Sequence, residues 1–219
     1  MISSFFVEDY LNGNGVMLEI LLRRIKLLLR FGLIRTVHIS LDRLFLGILF
    51  RIYEFDAWHA NSPLSARPYR LTVARIVNEL KPTTVVEVGC GLGGIISNIN
   101  AEKRYGYDID VGVIRASRFL HSNDITFIHG DLSVVSLKQI DVLVLVNWIH
   151  DISPQMLEGL ITPLLSRTHY LLLDAIDSDG PTGYKYKHDF AFLRKRARIL
   201  SITRHSEEGR SFQLFEVVV

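Results

Sequence analysis

The chain has 219 residues, 48% of them hydrophobic and 22% charged. That composition excludes a disordered or low-complexity protein and fits one ordinary domain with an attachment. Mean hydropathy is +0.23, yet no run supplies the roughly 20 mainly apolar residues that a spanning helix needs. The formal charge of +2 is unevenly spread: residues 17–53 hold seven Lys/Arg against Glu19 and Asp42, and residues 185–204 hold seven against Asp189. Neither basic segment carries a nucleic-acid motif or interleaved aromatics, so no nucleic-acid partner is expected. The opening MISSFFVEDYLNGNG is acidic and turn-like, without the pattern of an export signal. A single cysteine, Cys90, fits a reducing compartment. A cytoplasmic location is therefore expected.

In chain order, residues 1–60 read as a helical arm. From Met17 to Ile34 a polar stripe of Glu19, Arg23, Lys26 and Arg30, with Arg24 beside it, recurs at helical spacing. Leucines and isoleucines fill the rest of that helix, an apolar face wider than a surface helix needs. Gly32 is the expected stop, and a second helix is expected from Ser40 as N-cap through LDRLFLGILFRIY. Three roles fit this arm: a layer packed on the domain that follows, a homodimer interface, or a surface resting through residues 17–53 on an anionic membrane face, at the inner side of the cell membrane.

Residues 55–69 (FDAWHANSPLSARPY) read as a loop, and YRLTVARIVNEL as a helix started by Ser65 or Pro68 and stopped by Pro82. Short β-branched runs follow at 84–88, 104–108, 125–129, 140–146 and 169–175, with helical stretches at 112–121 and 154–166 between them. Ser153 and Pro154 suit the N-cap and first position of the latter. The end of the chain, ARILSIT and SFQLFEVVV joined by EEGR, reads as an antiparallel hairpin. The expected fold is α/β: a Rossmann-like, mostly parallel seven-stranded sheet with helices on both faces and a C-terminal hairpin, spanning residues 61–219.

The segment VVEVGCGLGG (85–94) runs a strand into Gly89, Gly91 and Gly93 and predicts a helix after them. Backbone without side chains lets a nucleotide-like ligand approach closely. The glycines alone do not choose between a dinucleotide and S-adenosyl-L-methionine, because Gly89, Gly91 and Gly94 also satisfy G-x-G-x-x-G. Three features favour S-adenosyl-L-methionine. Glu87 suits an ammonium and would repel a pyrophosphate; no second domain is present for a hydride acceptor; and the terminal hairpin is foreign to the usual dinucleotide fold.

With these motifs, residues 65–219 resemble the class I S-adenosylmethionine-dependent methyltransferases. The resemblance implies that Glu87, Gly89, Cys90, Gly91 and Gly93 form the cofactor loop, with Cys90 as its small residue. It implies that Asp108, followed by Ile109, meets the ribose hydroxyls in preference to its neighbour Asp110, since a carboxylate accepts from two vicinal hydroxyls at once. Asp131 and Leu132 in HGDLS would take the adenine, and Asn147 the region of the transferred methyl. WIHDIS resembles the W-x-x-H-D-W stretch of small-molecule O-methyltransferases, one residue shorter between Trp and His. It nominates His150 as proton acceptor with Asp151 beside it, although a histidine capping the next helix fits the same pattern. In the loop at 174–190, His188 is a second catalytic candidate, and Tyr184 and Tyr186, with Trp148, are substrate-binding candidates. Asp174 and Asp177 lack a third ligand, so no metal is expected. Trp58 and His59 read either as a lid over the cofactor or as an anchor for the arm. A looser similarity to methyltransferases of bacterial surface-glycan synthesis implies a small-molecule or glycan hydroxyl as acceptor; a small-metabolite O- or N-methyltransferase and a non-catalytic S-adenosylmethionine-binding protein are the alternative readings.

Overall fold

The protein is described from a computed structural model, which covers residues 32–121, 124–177, 183–205 and 209–218, together with Leu22 and Ile25. Most of the first expected helix therefore lies outside the described residues. Its expected end does not: Gly32 has φ +74, a left-handed conformation that glycine adopts without a Cβ penalty. Helix α1 then runs continuously over residues 32–53. Ser40 does not cap it as expected. Its hydroxyl donates back to the Thr36 carbonyl at 2.9 Å, a bond made from inside a helix.

The apolar runs at the centre of the sheet form strands because both of their faces are covered, whereas the run at 197–205 is mostly exposed. The strands are β1 (Thr84–Val88), β2 (Lys103–Asp108), β3 (Ile125–His129), β4 (Ile140–Leu145), β5 (Thr168–Ile176), β6 (Ala197–His205) and β7 (Arg210–Val217). They make one sheet in the order β3-β2-β1-β4-β5-β7-β6. The first five are mutually parallel, and β7 pairs antiparallel with both β5 and β6. Successive side chains of a strand point to opposite faces. Val85, Val142, Val144 and Leu172 thus face a layer containing α3 (Tyr69–Glu79) and Ile114 of α4 (Val111–Leu120). Val86, Leu143, Leu145 and Leu171 face α5 (Pro154–Leu165). Each such fully buried side chain contributes roughly 1.5–3 kcal/mol relative to exposure. Ser153 caps α5 as expected, accepting from the Met156 N–H at 3.3 Å.

Two further expectations are corrected. Residues 55–69 are not an open loop: they hold α2 (Ala57–Asn61) and a 3₁₀ turn, Leu64–Ala66. The Asp56 carboxylate caps α2 by accepting from the Trp58 and His59 N–H groups, and a helix this short leaves no periodicity to read. The helix expected after the glycines is also absent. Residues 91–95 are turn, followed only by a 3₁₀ segment, Ile96–Asn98. Adjacent Gly93 and Gly94 disfavour helix propagation, and the Glu87 carboxylate takes the Ile96 N–H at 2.9 Å.

The arm is fastened to the domain. Leu46, Leu49 and Phe55 pack with Val113 and Ala116 of α4, and a Cβ on Gly112 would stand 2.4 Å from the Tyr53 carbonyl oxygen. Asp110 caps α4 through Gly112 and Val113 and also accepts from the Asp56 N–H at 3.1 Å. One side chain thus ties the end of the arm to the start of α4. Among the described residues, no helix is long and apolar enough to cross a membrane.

Candidate functional site

In parallel α/β sheets, ligands bind outside the carboxyl ends of the strands where the strand order reverses. Here that point lies between β1 and β4, and a cleft of about 920 Å³ opens there.

Its floor is the loop leaving β1. The N–H groups of Gly89 and Cys90 both donate to the Tyr107 carbonyl, at 2.8 and 2.9 Å. The chain turns sharply with φ +72 at Gly89 and +52 at Gly91, conformations that cost a residue with a Cβ about 1–2 kcal/mol. Asp108, at the end of β2, holds the loop in place. One of its carboxylate oxygens accepts from the Gly91 N–H at 2.9 Å and the other from the Asp110 N–H at 3.0 Å. Each of those oxygens keeps a second lone pair for a ligand.

Glu87 lies beneath the loop with 2% exposure. Burial pushes its carboxyl up to about 8, against opposing effects of the Ile96 N–H bond and of Arg70. At neutral pH this buried acid therefore holds its proton. Cys90 is buried as well, and its thiol is pushed well above its ordinary range by burial. That makes it a packing residue of the loop, with no nucleophilic character.

The roof comes from α2 and the segment behind it. Asp56 Oδ2 lies 2.9 Å from His59 Nδ1, so the Nδ1 proton is donated to the carboxylate and Nε2 is left over the glycine loop. The His59 ring lies over Gly91, 3.0 Å from where a Cβ would stand. Trp58 lines the same cleft, with the guanidinium groups of Arg67 and Arg70 at 5.8 and 5.9 Å from its ring centre.

The wall beyond β4 is held by a buried network. Asn147 has φ +80 and ψ −65, a sparsely populated conformation for a residue with a side chain. Its N–H donates to Asp174 at 2.9 Å. Arg210, fully buried, donates to the other Asp174 oxygen at 2.9 Å and to the Tyr184 hydroxyl at 2.9 Å. Its guanidinium lies 4.4 Å from the Tyr69 ring centre. Tyr184 donates in turn to the Asn147 side-chain oxygen. Burial raises the Tyr184 hydroxyl above its ordinary range despite the adjacent arginine, so it stays a neutral donor. The turn at Asn147 carries Trp148 back over the loop. The indole Nε1 donates to the Val88 carbonyl at 2.6 Å, and a Cβ on Gly89 would stand 2.1 Å from the indole.

Most of the residues singled out from sequence meet in this one cleft: Glu87, Gly89, Cys90, Gly91, Asp108, Ile109, Asp131, Asn147, Trp148, Asp151 and Tyr184. Others do not reach it. Gly93 packs beneath the loop against His121, and Leu132 is buried in the core under α5. Tyr186 is exposed outside the cleft. The two expected bases also lie outside the cleft lining. His150 is completely buried, with Nδ1 3.3 Å from the Tyr186 carbonyl oxygen and Nε2 3.2 Å from Asp174. His188 is buried with Nε2 2.8 Å from the Ile149 carbonyl oxygen, and burial lowers its proton affinity. His150 serves the inside of the fold because the 3₁₀ turn at Trp148–Asp151 aims Trp148 and Asp151 toward the cleft and His150 inward. Asp174, weighed from sequence as a metal ligand, is instead the partner of Arg210.

Sequence reasoning missed Arg70 and Arg210. Arg70 had a usable signal, as the cation on the helix that leads into β1. Arg210 had none, since an arginine after a hairpin turn reads as solvent-facing.

No protein-family model matches the chain, and no curated protein matches its sequence. Solved structures do match its fold. Magnesium protoporphyrin IX methyltransferase (ChlM) from Synechocystis PCC 6803, with bound SAM, superimposes with TM-score 0.56 at 18% identity, over 84% of this chain and 97% of that one. Mitomycin 7-O-methyltransferase MmcR matches with TM-score 0.57 at 11% identity, over 78% of this chain and 60% of that one. The bifunctional kinase-methyltransferase WbdD matches with TM-score 0.53 at 15% identity, over 68% and 39%. The fold is that of the class I S-adenosylmethionine-dependent methyltransferases, with the strand order given above and its reversed seventh strand.

Proposed function

We propose that the chain is an S-adenosylmethionine-dependent methyltransferase acting on a hydroxyl group of a small-molecule or glycan acceptor. The observation that carries this reading is the convergence of Glu87, the Gly89–Gly91 backbone, Asp108 and Asp131 on one cleft at the carboxyl ends of β1, β2 and β3. The donor set fits that cofactor. Arg70 suits the carboxylate of an amino-acid zwitterion and Glu87 its ammonium, whose charge would offset the burial that keeps this acid protonated, Asp108 offers free lone pairs to two vicinal hydroxyls, and Asp131, kept ionised by its bonds from Ser133, offers an acceptor at the far end. A dinucleotide brings no ammonium to meet Glu87.

The bound cofactor supplies an electrophilic methyl group that needs no further activation. The chain must align an acceptor, exclude water and accept a proton. Trp58, Trp148, Met156 and Leu160 give the cleft apolar surface that excludes water. His59 is the histidine that faces the cleft, and with its Nδ1 proton engaged by Asp56 it presents Nε2 as the proton acceptor. It takes the role first assigned to His150. The structures of O-acting relatives such as MmcR are compatible with a hydroxyl acceptor at the level of fold.

The test is a screen of hydroxyl-bearing small molecules and glycans with cofactor labelled in the methyl group. Transfer to a hydroxyl supports the reading. Cofactor binding without transfer to any member of a broad panel would favour a binding protein, and transfer to nitrogen would remove the need for His59.

A further inference from the structure

Helix α1 has one face buried and the opposite face bare. Ile39, Leu46 and Leu49 are buried. On the other side, eight large apolar side chains between Leu33 and Ile52 are exposed, including Leu33 at 69%, Ile34 at 76% and Leu44 at 66%. At 100° per residue they fall within an arc of roughly 120°. Leu33, Ile34, Leu41, Leu44, Ile48 and Ile52 follow one another along it for the length of the helix, and no charged residue lies inside it. The exposed area is on the order of 800 Å², larger than the greatest apolar patch of an ordinary monomer. Leu22 and Ile25 add exposed apolar surface just upstream.

Charge decides what fits this face. Residues 17–53 carry seven Lys/Arg and two acids, and Arg51 lies exposed at the edge of the stripe. A second copy of the chain seated stripe to stripe would set that positive balance against itself. An anionic bilayer surface offers apolar depth and opposite charge together. We propose that the outward stripe of α1 is a docking surface for anionic membrane, with the helix lying in the interface plane. The helix ends at Tyr53 and the chain passes through exposed Glu54 and buried Phe55 to Asp56 and α2, so the contact adjoins the roof of the cleft. This proposal does not depend on the chemistry assigned to the cleft.

The test is flotation of the full chain with phosphatidylcholine vesicles, with and without phosphatidylglycerol, alongside light scattering after size exclusion. The chain is expected to float with the anionic vesicles, less with neutral ones, and less as salt rises. Leu44→Glu with Ile48→Glu is expected to lower partitioning by about tenfold or more, with an unchanged thermal melt because both side chains are exposed. Leu33→Ser with Ile34→Ser, which adds no charge, gives a second reading should the first variant unfold. Absence of flotation with anionic vesicles overturns the proposal, as does partitioning that the substitutions leave unchanged. A dimer that the same substitutions convert to monomer, without vesicle binding, also overturns it and assigns the stripe to a second copy.

Discussion

Replacing Arg210 with methionine tests the physical account of the cleft wall. The Arg210 and Asp174 side chains are both fully buried and 2.9 Å apart. Asp174 also receives the Asn147 N–H, and Arg210 also holds Tyr184. Removing one partner of such a pair leaves the other charge without compensation in a place water does not reach, at a cost of about 3–5 kcal/mol. For a chain of this size, 1 kcal/mol moves the melting midpoint by roughly 2–4 °C, so Arg210→Met is expected to lower it by about 6–20 °C. Asp174→Asn is expected to fall in the same range. Removing both charges together removes the mismatch, so the double variant should be no less stable than the worse of the two singles. Urea unfolding followed by circular dichroism gives all three values, with an unchanged m-value as the check that the transition is comparable. Single variants that each cost under about 1 kcal/mol, or a double variant whose loss equals their sum, would refute the description of a coupled buried pair.

Glu87 sets a pH dependence. Its carboxyl stands at about 8 in the fold against an ordinary value of 4.5, so the folded state keeps a proton that the unfolded state releases. Its contribution is fully present below the ordinary value and is lost as pH rises through the folded value, by up to about 1.4 kcal/mol per pH unit. Melts of the native chain should therefore carry a falling contribution between about pH 4.5 and pH 8, and Glu87→Gln should remove it. An identical slope in the variant would place the titration elsewhere. Gly89→Ala puts a methyl into both a left-handed backbone position and the Trp148 indole, so it should lower stability by about 1–2 kcal/mol for the backbone alone and abolish cofactor binding. Adding Trp148→Ala should recover part of the melting loss, and no recovery would mean the indole does not rest on that glycine. His59→Gln is expected to cut methyl transfer by about 100-fold or more, partly restored by added imidazole, whereas His150→Gln should appear first in the thermal melt. The reverse pattern would return the proton-accepting role to His150.

The sheet was legible because burial on both faces forces near-continuous apolar strands. TVVEV and ITFIH correspond to β1 and β3 residue for residue. The hairpin was legible for a different reason, a turn segment between two alternating runs. Short elements were not legible. Five residues of α2 hold less than two helical turns, and what makes them a helix is the Asp56 cap. The orientation of His150 was hidden too. A Trp-x-His-Asp spacing does not reveal which of these side chains a 3₁₀ turn directs outward, and at Asn147 the turn depends on a contact to Asp174, 27 residues away. Long-range pairs of that kind, like Arg210 with Asp174, exist only once the sheet has brought β4, β5 and β7 side by side.

Calorimetric titration with S-adenosylhomocysteine tests the central claim most directly, because it needs no acceptor. Saturable binding in the micromolar range is predicted, lost on Asp108→Ala and unaffected by NAD in the cell. A native chain that shows no heat with the demethylated cofactor, or that binds NAD instead, would contradict the account.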